Sequence, residues 1–142
     1  MSSLTPHGPG FSFLDAFMLG SSPQSGRGTK WLDPKLGFFQ DHFPGKPLMP
    51  AVLLVECAAQ AAGALWASIQ GPQAPVHFVL AQVLQFKILR PVLPGETVVS
   101  QVTFTTALGS LAQFDVVLSV DNDEVARGRI VLGAGPDAEK SD

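Results

Sequence analysis

From Ala51 to about Ile69 the chain contains no proline, is rich in alanine and leucine, and carries one charged residue, Glu56. Pro50 stands where a helix tolerates proline, at a first position whose N–H would have no intrahelical partner. Gly71-Pro72 supplies the stop. A surface helix shows one apolar stripe, whereas this one is apolar on nearly all sides and needs cover all round. Whatever else the chain forms must wrap it.

The remaining segments read as strands. Phe11 to Leu19 alternates imperfectly and predicts a first strand, or a strand entered from a short turn. Residues 20–28, GSSPQSGRG, predict a small polar loop, and Thr29 to Leu32 a short returning strand. The loop lacks the Gly-Lys-Ser/Thr ending of a phosphate cradle, and no helix pattern follows it. Pro34, Gly37, Pro44, Gly45 and Pro47 make the stretch before the helix irregular. Beyond Pro75, four strands are expected in meander order: Phe78 to Ile88, Glu96 to Leu108, Leu111 to Val120 and Glu124 to Leu132. Pro94-Gly95, Gly109-Ser110 and Asp121-Asn122-Asp123 mark turns between the last three and their neighbours. The expectation is a single α+β domain over residues 1–142, with about six mostly antiparallel strands around one helix. Residues 1–10 read as an irregular lead-in and 133–142 as a frayed tail.

Of the 142 residues, 46% are hydrophobic and only 15% charged. So little charge predicts surface hidden in an oligomer, a large apolar pocket, or both. The formal net charge of -3 leaves no basic footprint for nucleic acid. The single cysteine, Cys57, has no internal disulfide partner and reads as a small buried filler. MSSLTPHGPG lacks the basic start and apolar core of a signal peptide. No apolar run reaches membrane-spanning length without Pro, Gly or Glu interrupting it. A cytoplasmic protein without a membrane span is expected. Three scattered histidines and one cysteine supply no ligand pair at short spacing, so no metal or other cofactor is expected.

Chemistry centres on Glu56. A carboxylate alone in an apolar run is costly to bury unless it is protonated, paired or used. The plain alternative is an ion pair with a lysine or arginine from elsewhere. Gln60 and Gly63 share the helix face of Glu56. The backbone N–H groups at Ala51 and Val52, at the positive end of the helix, suit the carbonyl oxygen of an acyl group. His42 lies in the preceding loop. A histidine base, a carboxylic acid and an amide donor together can remove a proton next to a carbonyl while a neighbouring oxygen leaves. His7 and His77 have no acidic partner at a suggestive spacing and read as structural. Phe38, Phe39 and Phe43 read as packing near the helix.

The stretch His42 to Gln60, HFPGKPLMPAVLLVECAAQ, resembles the 3-hydroxyacyl-[acyl carrier protein] dehydratases of the FabZ type, whose pattern has the form HFPGxPxMPGVLxxEAxAQ. Pro6-His7, Phe13-Leu14-x-Ala16 and Phe86-Lys87-x-x-Arg90-Pro91-Val92-x-Pro94-Gly95-Glu96 extend the resemblance over most of the chain. It implies a hotdog fold and removal of water from a 3-hydroxyacyl thioester to give the trans-2-enoyl product. It implies His42 as the base at C2 and Glu56 as the proton donor to the leaving 3-hydroxyl. Ala51 N–H, with Val52 beside it, would hold the thioester carbonyl, and Gln60 would steady Glu56. The implied partners are acyl carrier protein with a phosphopantetheine-linked acyl chain, and a second copy of the chain. The copies would form a homodimer, or a trimer of dimers, with His and Glu supplied by opposite subunits. Lys35, Lys46, Lys87 and Arg90 are candidates to meet an acidic carrier.

Two positions depart from the pattern: Asp41 and Ala51 each stand where the family has glycine. Glu56 in place of the aspartate of the isomerising sister enzymes points to dehydration without isomerisation. A hotdog acyl thioesterase and a non-catalytic acyl or carrier-binding protein are the alternative readings.

Overall fold

Alternation from Leu111 to Val120, and at the start of the strand before it, gives the centre of the sheet its inner face. The computed structural model describes residues 12–35, 51–71 and 78–134. Its elements, in chain order, are β1 (Ala16–Leu19), β2 (Ser25–Trp31), helix α1 (Ala51–Gln70), β3 (Phe78–Ile88), β4 (Thr97–Leu108), β5 (Leu111–Val120) and β6 (Asp123–Ala134). In β5, Ala112, Phe114, Val116, Leu118 and Val120 are buried, and the residues between them are not. Val98, Ser100 and Val102 do the same in β4. This period of two places one apolar face against the helix and one polar face outward. Asp121 (φ 51°) and Asn122 (φ 68°) form the two-residue β5–β6 turn. Successive left-handed residues match the twist of the strands they join.

The six strands form one sheet in the order β1-β2-β4-β5-β6-β3, with every neighbouring pair antiparallel. The expected meander therefore holds only for β4, β5 and β6. β3 pairs with β6 at the far edge, because α1 crosses the inner face and returns the chain on the side opposite β2. Residues 89–96 then carry the chain back across the end of the sheet. Leu89 N–H donates to Val125 O at 2.7 Å on one side, and Leu32 N–H donates to Glu96 O at 2.9 Å on the other. Val92, midway, is fully buried.

Three boundaries also differ from expectation, the first being that β1 begins at Ala16 and not at Phe11, with Ser12 to Asp15 outside the strand. Ser25 to Gly28 belong to β2 and not to a loop, all paired with β4 on one side and Gly26 to Gly28 with β1 on the other. At the two glycines smallness is a packing requirement: a Cβ at Gly28 would stand 2.6 Å from Leu14 Cδ1 and 2.9 Å from Ala61 Cβ, and one at Gly26 would strike the Phe17 ring. β6 continues through Gly133 and Ala134, which pair with Val79 and Phe78.

Leu54, Cys57, Ala58, Ala61, Ala62 and Leu65 form the buried stripe of α1. Their spacing of three and four residues keeps them on one face. Farther along, Trp66 stacks on Phe104 (centroids 5.3 Å apart) and meets Phe114 edge-on at 6.1 Å, which seats the second half of the helix on β4 and β5. By length and composition alone α1 could cross a membrane, with a mean hydropathy of 1.6. Here the sheet takes its apolar stripe. The other side, with Val55, Glu56, Gly63 and Ala67, is only half-buried by this one chain.

Candidate active site

Glu56 sits on the half-buried side of α1, between its exposed first turn and its buried middle. One helical turn on, Gln60 is 6% exposed. The i, i+4 spacing stacks the two side chains, and Gln60 Nε2 donates to Glu56 Oε2 at 2.9 Å. Gln60 is held in turn from outside the helix. Phe13 N–H, in the segment leading into β1, donates to Gln60 Oε1 at 2.7 Å across 47 positions of sequence. The result is a fixed chain of donors from main chain to amide to carboxylate. An unpartnered amide buried this deeply would cost a few kcal/mol, and among the described residues no buried side-chain nitrogen or oxygen lacks a partner.

The next segment along tightens the same corner. Asp15 Oδ2 accepts from Trp31 N–H at 2.7 Å, and Asp15 Oδ1 pairs with Lys30 Nζ at 3.3 Å. These contacts lock the start of β1 onto β2, and with it the main chain that carries Phe13. Cys57, beside Glu56 in sequence, points the other way into the core. Burial pushes its thiol up from 9.0 to about 12, with nearby Lys30 pulling weakly downward. A thiol held protonated is a packing group and not a nucleophile.

Ala51 and Val52 open α1 and are both exposed, Val52 at 73%. Their N–H groups belong to the first turn, where no intrahelical carbonyl can accept them. The positive end of the helix therefore lies open one turn before Glu56. His42, Asp41, Pro50, His7, His77, Lys46 and the phenylalanines Phe38, Phe39 and Phe43 lie outside the described residues. Of the proposed carrier contacts, Arg90 pairs with Glu96 at 3.4 Å and donates to Pro91 O at 2.8 Å, so it braces its own turn. Lys87 is exposed on β3. Among the described residues no group of His, Cys, Asp and Glu is placed to hold a metal ion. The anchor at Phe13 was not foreseeable as a functional group, because it acts through its main chain and leaves no side-chain signal.

A family model of FabA-like domains matches residues 5–129. The 3-hydroxyacyl-[acyl-carrier-protein] dehydratases FabZ of Erwinia tasmaniensis and of Escherichia coli are each 32% identical over 136 residues, which span 95% of this chain and 90% of theirs. Among solved structures, the dehydratase heterocomplex ApeI:P of Xenorhabdus doucetiae superposes with a TM-score of 0.78 at 13% identity, covering 97% of this chain and 92% of that one. A hypothetical thioesterase from Streptococcus pneumoniae, solved with coenzyme A, gives 0.63 at 9% identity, covering 86% and 88%. At such identities the two structures attest the fold alone, a six-stranded sheet over one helix that dehydratase and thioesterase names share. The curated relatives and the family model go further, and on them the chain belongs to the FabA-like family.

Proposed function

We propose that this protein dehydrates 3-hydroxyacyl thioesters, carried on acyl carrier protein, to trans-2-enoyl thioesters in fatty acid or related lipid synthesis. Glu56 is the acid and His42 the base. His42 takes the C2 proton, the electron pair forms the C2=C3 bond, and the C3–O bond breaks. The oxygen leaves as water with the proton from Glu56. The open N–H groups of Ala51 and Val52 hold the thioester carbonyl and stabilise the charge that builds on it. The observation that carries this reading is Glu56 itself, a helix carboxylate in apolar surroundings clamped by a buried amide, in a chain aligned with FabZ over 95% of its length.

The active form is a homodimer joined along β3, with His42 and Glu56 of each site coming from different copies. β3 is an edge strand of 11 residues, and Val79, Leu80, Val83 and Ile88 on it are exposed. A long apolar edge invites a second strand. Dimers could further assemble in threes. The protein works in the cytoplasm, alongside its carrier.

The test is hydration, since the reaction runs both ways. Crotonyl and longer trans-2-enoyl thioesters, on carrier protein and on coenzyme A, are offered to wild type, His42→Ala and Glu56→Gln. Hydration by wild type and a loss of at least about a hundredfold in each variant is the expected result. Release of free thiol in place of hydration would turn the assignment to a thioesterase. Binding of acyl carrier without turnover would leave a binding protein.

A further inference from the structure

The pairing of β1 with β2 ends at Ala16, although the chain before it runs on beside the helix. Carried two residues past Ala16 and Thr29, the same register would set Leu14 against Trp31. Leu14 instead turns under α1, its Cδ1 lying at the junction of Gly28 and Ala61, and Phe13 and Leu14 are both buried in the core. The Trp31 N–H left open by this departure is taken by Asp15 Oδ2 at 2.7 Å, while Asp15 N–H donates to Thr29 O at 2.7 Å. A side-chain oxygen thus replaces the main chain that has left the ladder. Asp15 Oδ1 pairs at 3.3 Å with Lys30, whose side chain is 14% exposed. Lys30 follows Gly28 by two positions and so lies on the same inner face of the strand. We propose that Asp15 is a positioning residue for the dehydration, ending β1 so that Phe13 and Leu14 fold onto α1 one turn from Glu56.

This role rests on Glu56 being the acid and adds what directs the segment that supports it. Phe13 N–H is bound to the Gln60 that contacts Glu56, so a shift of residues 12–15 reaches the carboxyl through the main chain. Were the segment to stay in the ladder, Leu14 would face Trp31 and leave the junction of Gly28 and Ala61 unfilled. The two carboxylate oxygens of Asp15 divide the work. Oδ2 needs only to accept a hydrogen bond, which an amide oxygen does as well. Oδ1 balances Lys30, whose apolar stem lies on the inner face while its charged end reaches the half-exposed Asp15. Neutralising Asp15 alone leaves that cation uncompensated, and neutralising both partners does not. Asp15 makes its polar contacts with β2, so its loss misplaces the acid without removing a substrate contact. A misplacement of about 1 Å costs on the order of a hundredfold in rate. The cost falls on kcat rather than on KM.

Hydration kinetics and amide hydrogen exchange, both on the full chain, test the role. Asp15→Ala should lower kcat about ten- to a hundredfold with KM held within about twofold. It should also speed exchange at Phe13 and Trp31, while the α1 amides from Cys57 to Leu65 keep wild-type protection. Asp15→Asn alone should lose part of kcat to the unbalanced lysine. The neutral pair, Asp15→Asn with Lys30→Gln, should return kcat to within about threefold of wild type, because the acceptor for Trp31 is kept and no charge is left over. Wild-type kcat in Asp15→Ala, or a loss confined to KM, would overturn the positioning role. A loss in the neutral pair equal to that in Asp15→Ala would overturn it too, as would faster exchange along the whole of α1. Should Asp15→Ala fail to fold, Asp15→Asn and the neutral pair decide: kcat regained in the pair supports the role, and kcat lost equally in both sinks it. If the wild-type enzyme hydrates no thioester, the dehydratase reading fails by itself, while exchange at Phe13 still tells whether Asp15 directs the segment.

Discussion

Gly28 on β2 and Ala61 on α1 meet so closely that a Cβ on the glycine would stand 2.9 Å from the alanine's Cβ. Ala61 directly follows Gln60, so this contact sets how near the carboxylate clamp lies to the strands that anchor it. Gly28→Ala should cost about 1–3 kcal/mol by overpacking and should push α1 away from Phe13. Urea denaturation with the hydration assay checks both. Unchanged stability and rate would mean that the helix shifts without disturbing Glu56.

Cys57 gives a pH signature. Its folded thiol is raised from 9.0 to about 12 by burial. Below pH 9 both states hold the proton and the contribution to stability is complete. Between pH 9 and about 12 only the unfolded chain releases it, so stability falls as pH rises, by about 1.4 kcal/mol per pH unit. Wild type minus Cys57→Ala, measured by denaturation from pH 8 to 10.5, should show that slope above pH 9. Native protein at pH 8 should also resist iodoacetamide until it is unfolded.

At the β3 edge, Gly128 on β6 lies under the bulged Phe86, and a Cβ there would come within 2.7 Å of the Phe86 Cα. Gly128→Ala should displace the bulge, and Val83→Lys should place a charge on the exposed edge. Sedimentation velocity should find both variants shifted towards monomer, with hydration lost in parallel. A full-sized dimer in Val83→Lys would exclude β3 as the seam.

The crossing from β3 to β4 depends on Glu96. Its Oε1 accepts from Leu93 N–H at 2.8 Å and pairs with Arg90, while its main chain accepts from Leu32. Glu96→Ala should cost about 1–2 kcal/mol, because the charged acceptor is only partly exposed. The midpoint of chemical denaturation checks it.

Local chemistry was enough to place much of this molecule. The helix from Ala51, the strand from Phe78 to Ile88 and the strand from Leu111 to Val120 stand where periodicity and turn residues put them, because these signals act within a few residues. Glu56 over Gln60 was equally legible, since i, i+4 spacing on a helix is geometry. His42 and Asp41 were legible as residues, and they lie outside the described part of the chain. Three features only the tertiary structure decided. Ser25 to Gly28 look like a loop by composition and are strand, because α1 and Phe17 need that closeness and local propensity gives way to packing. β3 joins β6 and not β4, because strand order depends on where the helix returns the chain. Phe13 reaches Gln60 across 47 positions, a contact between a main-chain donor and a buried amide that no pattern of side chains encodes.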